Sequence, residues 1–413
     1  MKNIYQFAAV SAISLLAATY ANAAGYQLNE YSVTGLGRSF AGVGVTGDDY
    51  SALAYNPAGM TLVKRSGMQL GLTSTQVRSK AQNGSNKTDM DFLIPLPSAF
   101  GQYNVNDKLF LGAGVYVPFG LATRYKHDSF IAQGKTGVRK SELEVIDFNL
   151  SAAYKLSSNW SFGASAIFRR ITGSLTSNLN LPGVGVAGHS DFRVKGYTGT
   201  FNIGAMYEFN ENARVGLSYR HKSIQKTSGK HYITLAHPAY AAYLGPAGTY
   251  HSASDPELPA SIILSGYFKT APQWATTATV KYTLWHRFGV FPGKTTSPLK
   301  GGNLNVDYRW KDAWNFALGE DYYLNDNWTL RAGVAYDQSP SRSNTYRTNR
   351  IPDTDRVWVS FGASYIKDNY QIDFGYAHLF FAHGRTRNSP EGDVDAKYRS
   401  YSNMLGMNFQ YKF

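Results

Sequence analysis

The sequence contains no cysteine and, beyond its first residues, no apolar run near the ~20 residues that a helical membrane span needs. The lack of cysteine excludes disulfides, thiol chemistry and thiolate metal sites, so an exported form has to be stabilised by strand pairing. A mean hydropathy of -0.32 and a hydrophobic share of 43% also argue against a helical membrane protein.

Acidic side chains are scarce relative to basic ones, with 28 Asp and Glu against 41 Lys and Arg and a net charge of +13. The basic residues are spread along the chain rather than clustered, so nucleic acid is not an expected partner. Two interpretations stay open. Basic loops and lumen cations can attract lipid phosphates and carboxylates, or the charges simply keep the loops solvated.

Aromatic residues are abundant, at 15% of the chain with 30 Tyr and 23 Phe. A soluble protein seldom has use for so many rings. A transmembrane β-barrel needs them for its outer apolar band and for the girdles at both membrane interfaces.

Residues 1–23 have the features of a secretory signal peptide. Lys2 provides a basic start, an apolar stretch follows over 7–19, and Ala21-Asn22-Ala23 fits a small-x-small cleavage site. The predicted mature chain begins at Ala24 and is either periplasmic or in the outer membrane of a Gram-negative bacterium.

Alternation of large and polar side chains dominates the chain after Gly67 and is clearest over residues 328–336. The pattern recurs over 274–284 and 370–376. Strands of a membrane barrel face lipid and lumen in turn, whereas a soluble sandwich would turn its polar face outward. Segments of about ten residues, and the need to pair every backbone group in lipid, favour the closed barrel.

Short polar turns alternate with longer segments rich in glycine, proline, serine or charge, which predicts periplasmic turns and extracellular loops. Trp160, Trp328 and Tyr370 directly follow turns and fit an aromatic girdle. Residues 67–413 are thus predicted to form an antiparallel transmembrane barrel of about fourteen strands. The turns lie at 104–107, 156–159, 210–212, 325–327 and 367–369, and the loops at 80–90, 124–141, 175–190, 226–256, 291–302, 340–353 and 383–398.

Residues 25–60 differ from this wall. They are rich in glycine and other small residues and contain the turn Asn56-Pro57-Ala58-Gly59, where a membrane strand would need sustained alternation and every backbone donor. Such a segment predicts a compact plug, and we call residues 24–66 the hatch.

The hatch resembles that of the FadL family, which are outer-membrane channels for long-chain fatty acids and other hydrophobic compounds. The likeness rests on residues 24–30 (AGYQLNE), on GLGR ending at Arg38, on Asp48 and Asp49, and on the NPAG turn. It continues in the wall at 115–123, 311–314, 326–340 and 351–356. One departure is the short, glycine-rich loop after Leu175, where the family often has a long insertion that helps to form an outer groove.

The resemblance implies a kinked third strand that opens the wall sideways at Pro118, Phe119, Gly120 and Leu121. Pro118 removes a ladder donor and Gly120 permits a bend, so local pairing should fail. It also implies that Tyr26 lies in the ligand pocket and that the turn formed by Asn56, Pro57, Ala58 and Gly59 faces the wall defect. The plainer alternative is a strand that ends at Pro118 and a turn that only closes the plug.

Arg169, Arg170 and Arg356 are the candidate cations for a ligand carboxylate. Strict alternation from Trp160 puts Arg169 on the lumen side, whereas the resemblance favours Arg170, and a bulge would reconcile the two. They can equally be paired with lumen acids or lipid phosphates.

The predicted function is passive uptake of long-chain fatty acids or similar molecules, with ligand-triggered hatch movement and lateral exit. Uptake of aromatic hydrocarbons and general diffusion through a porin are the alternatives. No enzyme, cofactor or metal site is expected, because no convincing catalytic or ligand spacing occurs and His378 and His383 fall on opposite faces. The expected partners are the hydrophobic ligand, outer-membrane lipid and lipopolysaccharide, and the barrel-assembly machinery through Phe413, for a protein predicted to be a monomer.

Overall fold

A computed structural model describes residues 25–288 and 290–413, so the predicted signal peptide at 1–23 lies outside the described residues. Within them, fourteen antiparallel strands close into one barrel, which confirms the predicted fold class. The wall strands are β1 Gly67–Asn83, β2 Asn86–Asn104, β3 Leu109–Arg124, β4 Val138–Lys155, β5 Trp160–Leu181, β6 Gly185–Asn210, β7 Ala213–Arg220, β8 Ser261–Ala271, β9 Trp274–Thr283, β10 Ala313–Tyr323, β11 Trp328–Asp337, β12 Arg356–Lys367, β13 Tyr370–Phe381 and β14 Ala396–Lys412.

The first and last strands pair with each other and close the ring. Their register runs from Gly67 opposite Lys412 to Gln82 opposite Lys397. Closure pairs the two ends of the sheet with each other, so neither β1 nor β14 is left as an unpaired terminal strand in the bilayer.

Side chains alternate across the wall as the sequence predicts. On β11 the outward side chains, among them Leu330 and Val334, are exposed, whereas Thr329, Arg331 and Asp337 are buried inside. Outward apolar groups contact lipid and inward polar groups contact the hatch, so each face of the strand lies in an environment of matching polarity.

Two predicted loops are instead strand hairpins, which corrects the assignment of 80–90 and 175–190. β1 and β2 pair up to Asn83 opposite Asn86, and Gly84 supplies the positive φ of the tight turn. One face of each hairpin is buried: Ala81 and Met90 lie inside the first hairpin, and Asn178 and Ala187 lie inside the second. Residues Thr227–Leu235, Gly248–Ser254 and Gly293–Thr295 extend the upper part of β6 in the same way.

The remaining elements are short. Helix α1 spans Val33–Gly37, α2 spans Ala52–Tyr55 and α3 spans Ala241–Leu244. 3-10 turns occupy Pro57–Leu62, Pro238–Tyr240, Trp285–Phe288 and Leu299–Gly302, and minor strands lie at Ser223–Ile224, Glu257–Leu258, Val290–Phe291, Val306–Asp307 and Gly384–Thr386. No helix in the described ranges is long and apolar enough to cross a membrane.

The described part of the hatch, residues 25–66, fills the inside of the barrel. The backbone N–H of Tyr50 donates to the Gln69 side chain on β1 (2.8 Å), and Asn56 donates to the carbonyl of Ala205 on β6 (3.1 Å). A segment that touches strands so far apart around a closed wall has to lie within it. The boundary at residues 66 and 67 stays a prediction, although β1 begins at Gly67.

A group of four charges, of which three are buried and Asp48 is partly exposed, joins the hatch to the wall. Arg38 of the hatch lies 2.8 Å from both Asp48 of the hatch and Asp321 of β10, and Arg331 of β11 lies 3.0 Å from Asp48. The two arginines and two aspartates balance in charge. This balance lets three of them stay buried between two elements that share no covalent connection nearby.

Candidate functional site

The wall has a break in its hydrogen bonding along β3. Pairing between β2 and β3 ends at Ala99 opposite Val115, and the register between β3 and β4 shifts between Tyr116 and Phe119. Pro118 lies in this shift and has no N–H to donate, which is where the sequence predicts that pairing fails. Beyond Val115, β3 keeps β4 on one edge, and β2 no longer occupies the other.

The start of the hatch occupies that vacated edge. The N–H of Gly120 donates to the carbonyl of Tyr26 (2.9 Å), and the N–H of Leu28 donates to the carbonyl of Pro118 (2.8 Å). Gln27 and Phe119 face each other between these two bonds as an antiparallel bridge. Three hatch residues therefore serve as a short substitute strand at the break.

The NPAG turn packs against β5 and β6. The resemblance instead predicted that it faces the break in β3. Asn56 and Pro57 pack so closely on the wall that a Cβ at Gly204 on β6 would come 1.9 Å from the Asn56 amide oxygen. A Cβ at Gly163 on β5 would lie 2.4 Å from the Pro57 carbonyl carbon. The turn can approach the wall this closely because Gly163 and Gly204 have no side chain. Asn56 also caps the 3-10 turn, since its side-chain oxygen accepts a hydrogen bond from the N–H of Ala58 (3.1 Å).

Tyr26 forms the floor of a narrow apolar pocket next to the break. The pocket has a volume of about 50 Å³. Its lining combines Tyr26 and Leu121 with residues of the upper wall strands and of the extracellular segments, namely Ser141, Glu142, Leu143, Ile171, Gly173, Ser174, Leu175, Phe192, Val194, Thr227, Ser254, Pro256, Leu258, Phe288, Phe291, Tyr308 and Ile351. The shape and composition suit a thin, apolar molecule.

Aromatic rings surround Tyr26. Its ring centre lies 4.8 Å from that of Trp285, 5.2 Å from Phe288, 5.6 Å from Trp310 and 6.0 Å from Phe119. The Tyr26 hydroxyl is buried and has no hydrogen-bond partner among the described groups. A buried hydroxyl without a partner costs about 1–3 kcal/mol, so the rings hold Tyr26 in place against that cost.

Trp285, Phe288 and Trp310 were not singled out in the sequence, because they lie in an extracellular segment without strand periodicity. The signal that could have identified them is the density of aromatic residues over 285–291 and 308–310.

A second, polar chamber of about 220 Å³ adjoins the apolar pocket, and Leu175 and Phe192 line both. Its charged lining residues are Lys135, Lys300, Arg350, Glu391 and Asp393. The site therefore combines an apolar pocket with a charged vestibule, which matches a ligand that has a tail and an ionised head.

Two of the predicted arginines lie on opposite faces of β5. Arg169 faces inward, where it makes two bonds to Asp147 (2.6 and 2.8 Å) and donates to Ser223 (2.6 Å). Arg170 shares the outer face with Phe168, and its side chain is 39% exposed. The β4–β5 register is continuous here, so the bulge that would turn both arginines inward is absent from this pairing.

Arg356 is buried and lies 3.1 Å from Asp337 and 3.7 Å from Asp353. As far as the structure describes the linings, neither cavity includes Arg169, Arg170 or Arg356. Their role as ligand contacts stays a prediction.

Glu30 is a buried acid of the hatch, two residues after Leu28. One carboxylate oxygen accepts from the N–H of Asn29 (2.5 Å), and the other has no partner among the described groups. Burial raises the pKa of Glu30 to about 7, with Arg356 opposing and Asp337 reinforcing the rise.

We expect the hatch to be held less firmly as pH rises from 5 to 8. An acid with a pKa near 7 when docked and near 4.5 when released favours the docked state at low pH, and that advantage, of the order of 3 kcal/mol, is lost as pH rises through 7. Hydrogen exchange of residues 25–35 should be faster in the wild type than in Glu30→Gln at pH 8 and nearly equal in the two at pH 5. A wild-type to variant ratio that does not change with pH would contradict this.

Known sequences and structures share this architecture. Residues 14–413 match the family described as outer membrane protein transport protein (OMPP1/FadL/TodX). The chain is 31% identical over 443 residues to the long-chain fatty acid transport protein of Salmonella typhi, covering 100% of this chain and 99% of that protein. The crystal structure of a Pseudomonas aeruginosa FadL homologue aligns with a TM-score of 0.85 at 23% identity, covering 94% and 100% of the two chains. The Pseudomonas putida toluene transporter TodX aligns with a TM-score of 0.70 at 21% identity, again covering 94% and 100%.

Proposed function

Because the chain belongs to the OMPP1/FadL/TodX family of outer-membrane transport proteins, we propose that it takes up long-chain fatty acids passively across the outer membrane. It is a β-barrel of the Gram-negative outer membrane. The observation that carries the proposal is the apolar pocket that ends at Tyr26, directly beside the break between β2 and β3. A tail in such a pocket gains ~0.8 kcal/mol for each buried CH₂, so chain length can supply most of the affinity.

Ligand binding displaces the start of the hatch. A cavity of about 50 Å³ is much smaller than the ~150 Å³ of a protein cavity that holds benzene, so an alkyl chain has to move some of the lining. Tyr26 is the lining residue that we expect to move, because only one described residue precedes it in the hatch and its hydroxyl makes no hydrogen bond among the described groups that movement would break. Its movement would break the two hydrogen bonds that join Tyr26 and Leu28 to β3.

The cargo then leaves sideways through the break. On the outer face of the barrel, at the end of the β2–β3 ladder, lies an apolar concavity of about 1000 Å³ lined by Ala99, Val115, Phe148 and Phe168 among others. An alkyl chain that passes from the pocket into this concavity enters lipid without crossing water, which avoids the cost of hydrating it. The step needs no energy coupling and no catalytic group.

Aromatic hydrocarbons are the second candidate cargo, since a toluene transporter is among the similar structures. At 21% identity that likeness supports the fold alone. The charged vestibule favours a ligand with an ionised head, which toluene lacks. The function of a general porin is disfavoured because the hatch fills the lumen. A large steady conductance of the intact protein in a planar bilayer would instead support the porin function.

The other partners are part of the same proposal. Outer-membrane lipid and lipopolysaccharide surround the wall, the assembly machinery recognises β14 together with Phe413 directly after it, and the barrel acts as a monomer. The exposed ring of Phe413 is compatible with such recognition.

Competition binding tests the cargo. Purified protein in detergent should bind a fluorescent long-chain fatty acid, and palmitate should displace the probe at far lower concentration than toluene. Octanoate is the matched control, since it has the same head and fewer CH₂ groups and should therefore compete weakly. Displacement by toluene but not by palmitate would replace fatty acids with aromatic hydrocarbons as the cargo.

A further inference from the structure

Arg350 lies where the apolar pocket meets the charged vestibule. It belongs to the segment between β11 and β12 and is half-buried. Its guanidinium donates to Ser141 on β4 (3.3 Å) and to Ser177 on β5 (2.7 Å), and its carbonyl accepts from Thr123 on β3 (2.8 Å). Three wall strands thus fix its position.

Arg350 donates to groups other than carboxylates, as do Arg214 and Arg347, but of these three it is the one that lines the vestibule. The guanidinium of Arg169 is bonded to Asp147, and Arg124 lies 2.7 Å from Glu142. Among the described residues, no carboxylate oxygen lies within 4 Å of the Arg350 guanidinium, which has only hydroxyl partners. Burial lowers the pKa of Arg350, partly offset by Tyr308 and Asp393. When a half-buried cation lacks a close counter-ion, binding an anion there stabilises the charge of the cation.

Its position matches the head of a ligand whose tail fills the apolar pocket. Ser141 lines that pocket and accepts from Arg350, whereas Arg350 and Ser177 line the vestibule. The planar guanidinium can bind both oxygens of a carboxylate at once. Lys135 and Lys300 add positive charge to the vestibule. Glu391 and Asp393 add negative charge, which lowers the attraction of the vestibule for anions in general.

We propose that Arg350 binds the carboxylate of the cargo and makes this site selective for ionised long-chain acids over neutral molecules of the same length. The inference rests on the proposed uptake of long-chain fatty acids. It adds a cation that the sequence did not single out and that differs from Arg169, Arg170 and Arg356.

The test compares palmitate with 1-hexadecanol, which has the same tail and no charge, as competitors of a fluorescent fatty acid at pH 8. Arg350→Gln should weaken palmitate binding about ten- to a hundredfold, because it removes charge-assisted bonds, and should leave hexadecanol nearly unchanged. Arg350→Lys should fall between wild type and Arg350→Gln. Arg347→Gln is the matched control, since it removes one charge from the same segment at a residue bonded to Asn344 and to the carbonyls of Asp353 and Arg385, outside the vestibule lining.

The outcomes separate the two proposals. Equal losses for palmitate and hexadecanol, or no loss for either, would overturn the role of Arg350 while leaving fatty-acid uptake intact. A wild-type protein that binds neither compound would overturn the proposed function and this inference with it.

Discussion

Replacing Arg38 with leucine is expected to turn a closed channel into one that conducts steadily. The side chain of Arg38 is 2% exposed and holds Asp48 of the hatch and Asp321 of the wall together. Without it, the buried carboxylate of Asp321 and the partly buried carboxylate of Asp48 share Arg331 alone. Removing one partner of a buried ion pair costs about 3–5 kcal/mol, and here that cost falls on the contact between hatch and wall. Planar-bilayer recording of the purified variant measures the effect.

The matched control is Arg78→Leu. Arg78 also pairs with an aspartate, Asp91 at 2.7 Å, but both side chains are about half exposed. Such surface pairs are worth about 0–1 kcal/mol, so this variant should stay closed. An Arg38→Leu protein that assembles normally and conducts no more than Arg78→Leu would show that the charge group does not hold the hatch.

A disulfide between the hatch and β3 is expected to stop uptake. Gln27 and Phe119 form a narrow antiparallel pair, flanked by the two inter-segment hydrogen bonds, and such pairs have Cα atoms about 4.5 Å apart, within reach of a disulfide. The chain has no cysteine of its own, so Gln27→Cys with Phe119→Cys can form only this bond within one protein. Oxidised protein should lose uptake of long-chain substrates in cells or vesicles, because Tyr26 and Leu28 can no longer leave the wall.

Reduction provides the internal control for that variant. Adding dithiothreitol should restore uptake, and each single cysteine variant should transport under both conditions. If the oxidised and fully cross-linked double variant transports as well as the reduced protein, the hatch segment at β3 does not have to move.

Much of the wall could be predicted from the sequence because lipid imposes a period of two on it. Alternation from Trp160 correctly placed Arg169 inside, and Pro118 marked the position of the break, since a missing N–H is visible in the sequence. The partner that fills the break, Tyr26 to Leu28, could not be predicted from residue types alone. A three-residue bridge between distant segments carries no periodic signal.

The electrostatic partners in the site depend on register, which sequence patterns do not fix. Asp147 neutralises Arg169 only because these residues lie opposite each other in the β4–β5 ladder. Arg350 lies in a segment without periodicity, and its importance comes from what surrounds it: Ser141 and Ser177 on two other strands, and no close acid among the described residues. The family resemblance predicted the hatch and the kink, but it did not predict the contacts of Arg169 and Arg350.

Hydrogen exchange at two backbone amides tests the central claim, that cargo releases the hatch from the wall break. The amides of Leu28 and Gly120 make the two bonds between the hatch and β3, whereas the amide of Gly42 donates to Thr279 (2.9 Å) far along the hatch and serves as the control. Saturating palmitate should speed exchange at Leu28 and Gly120 and leave Gly42 unchanged. Exchange at Leu28 and Gly120 that stays the same or slows when palmitate is bound would contradict the account.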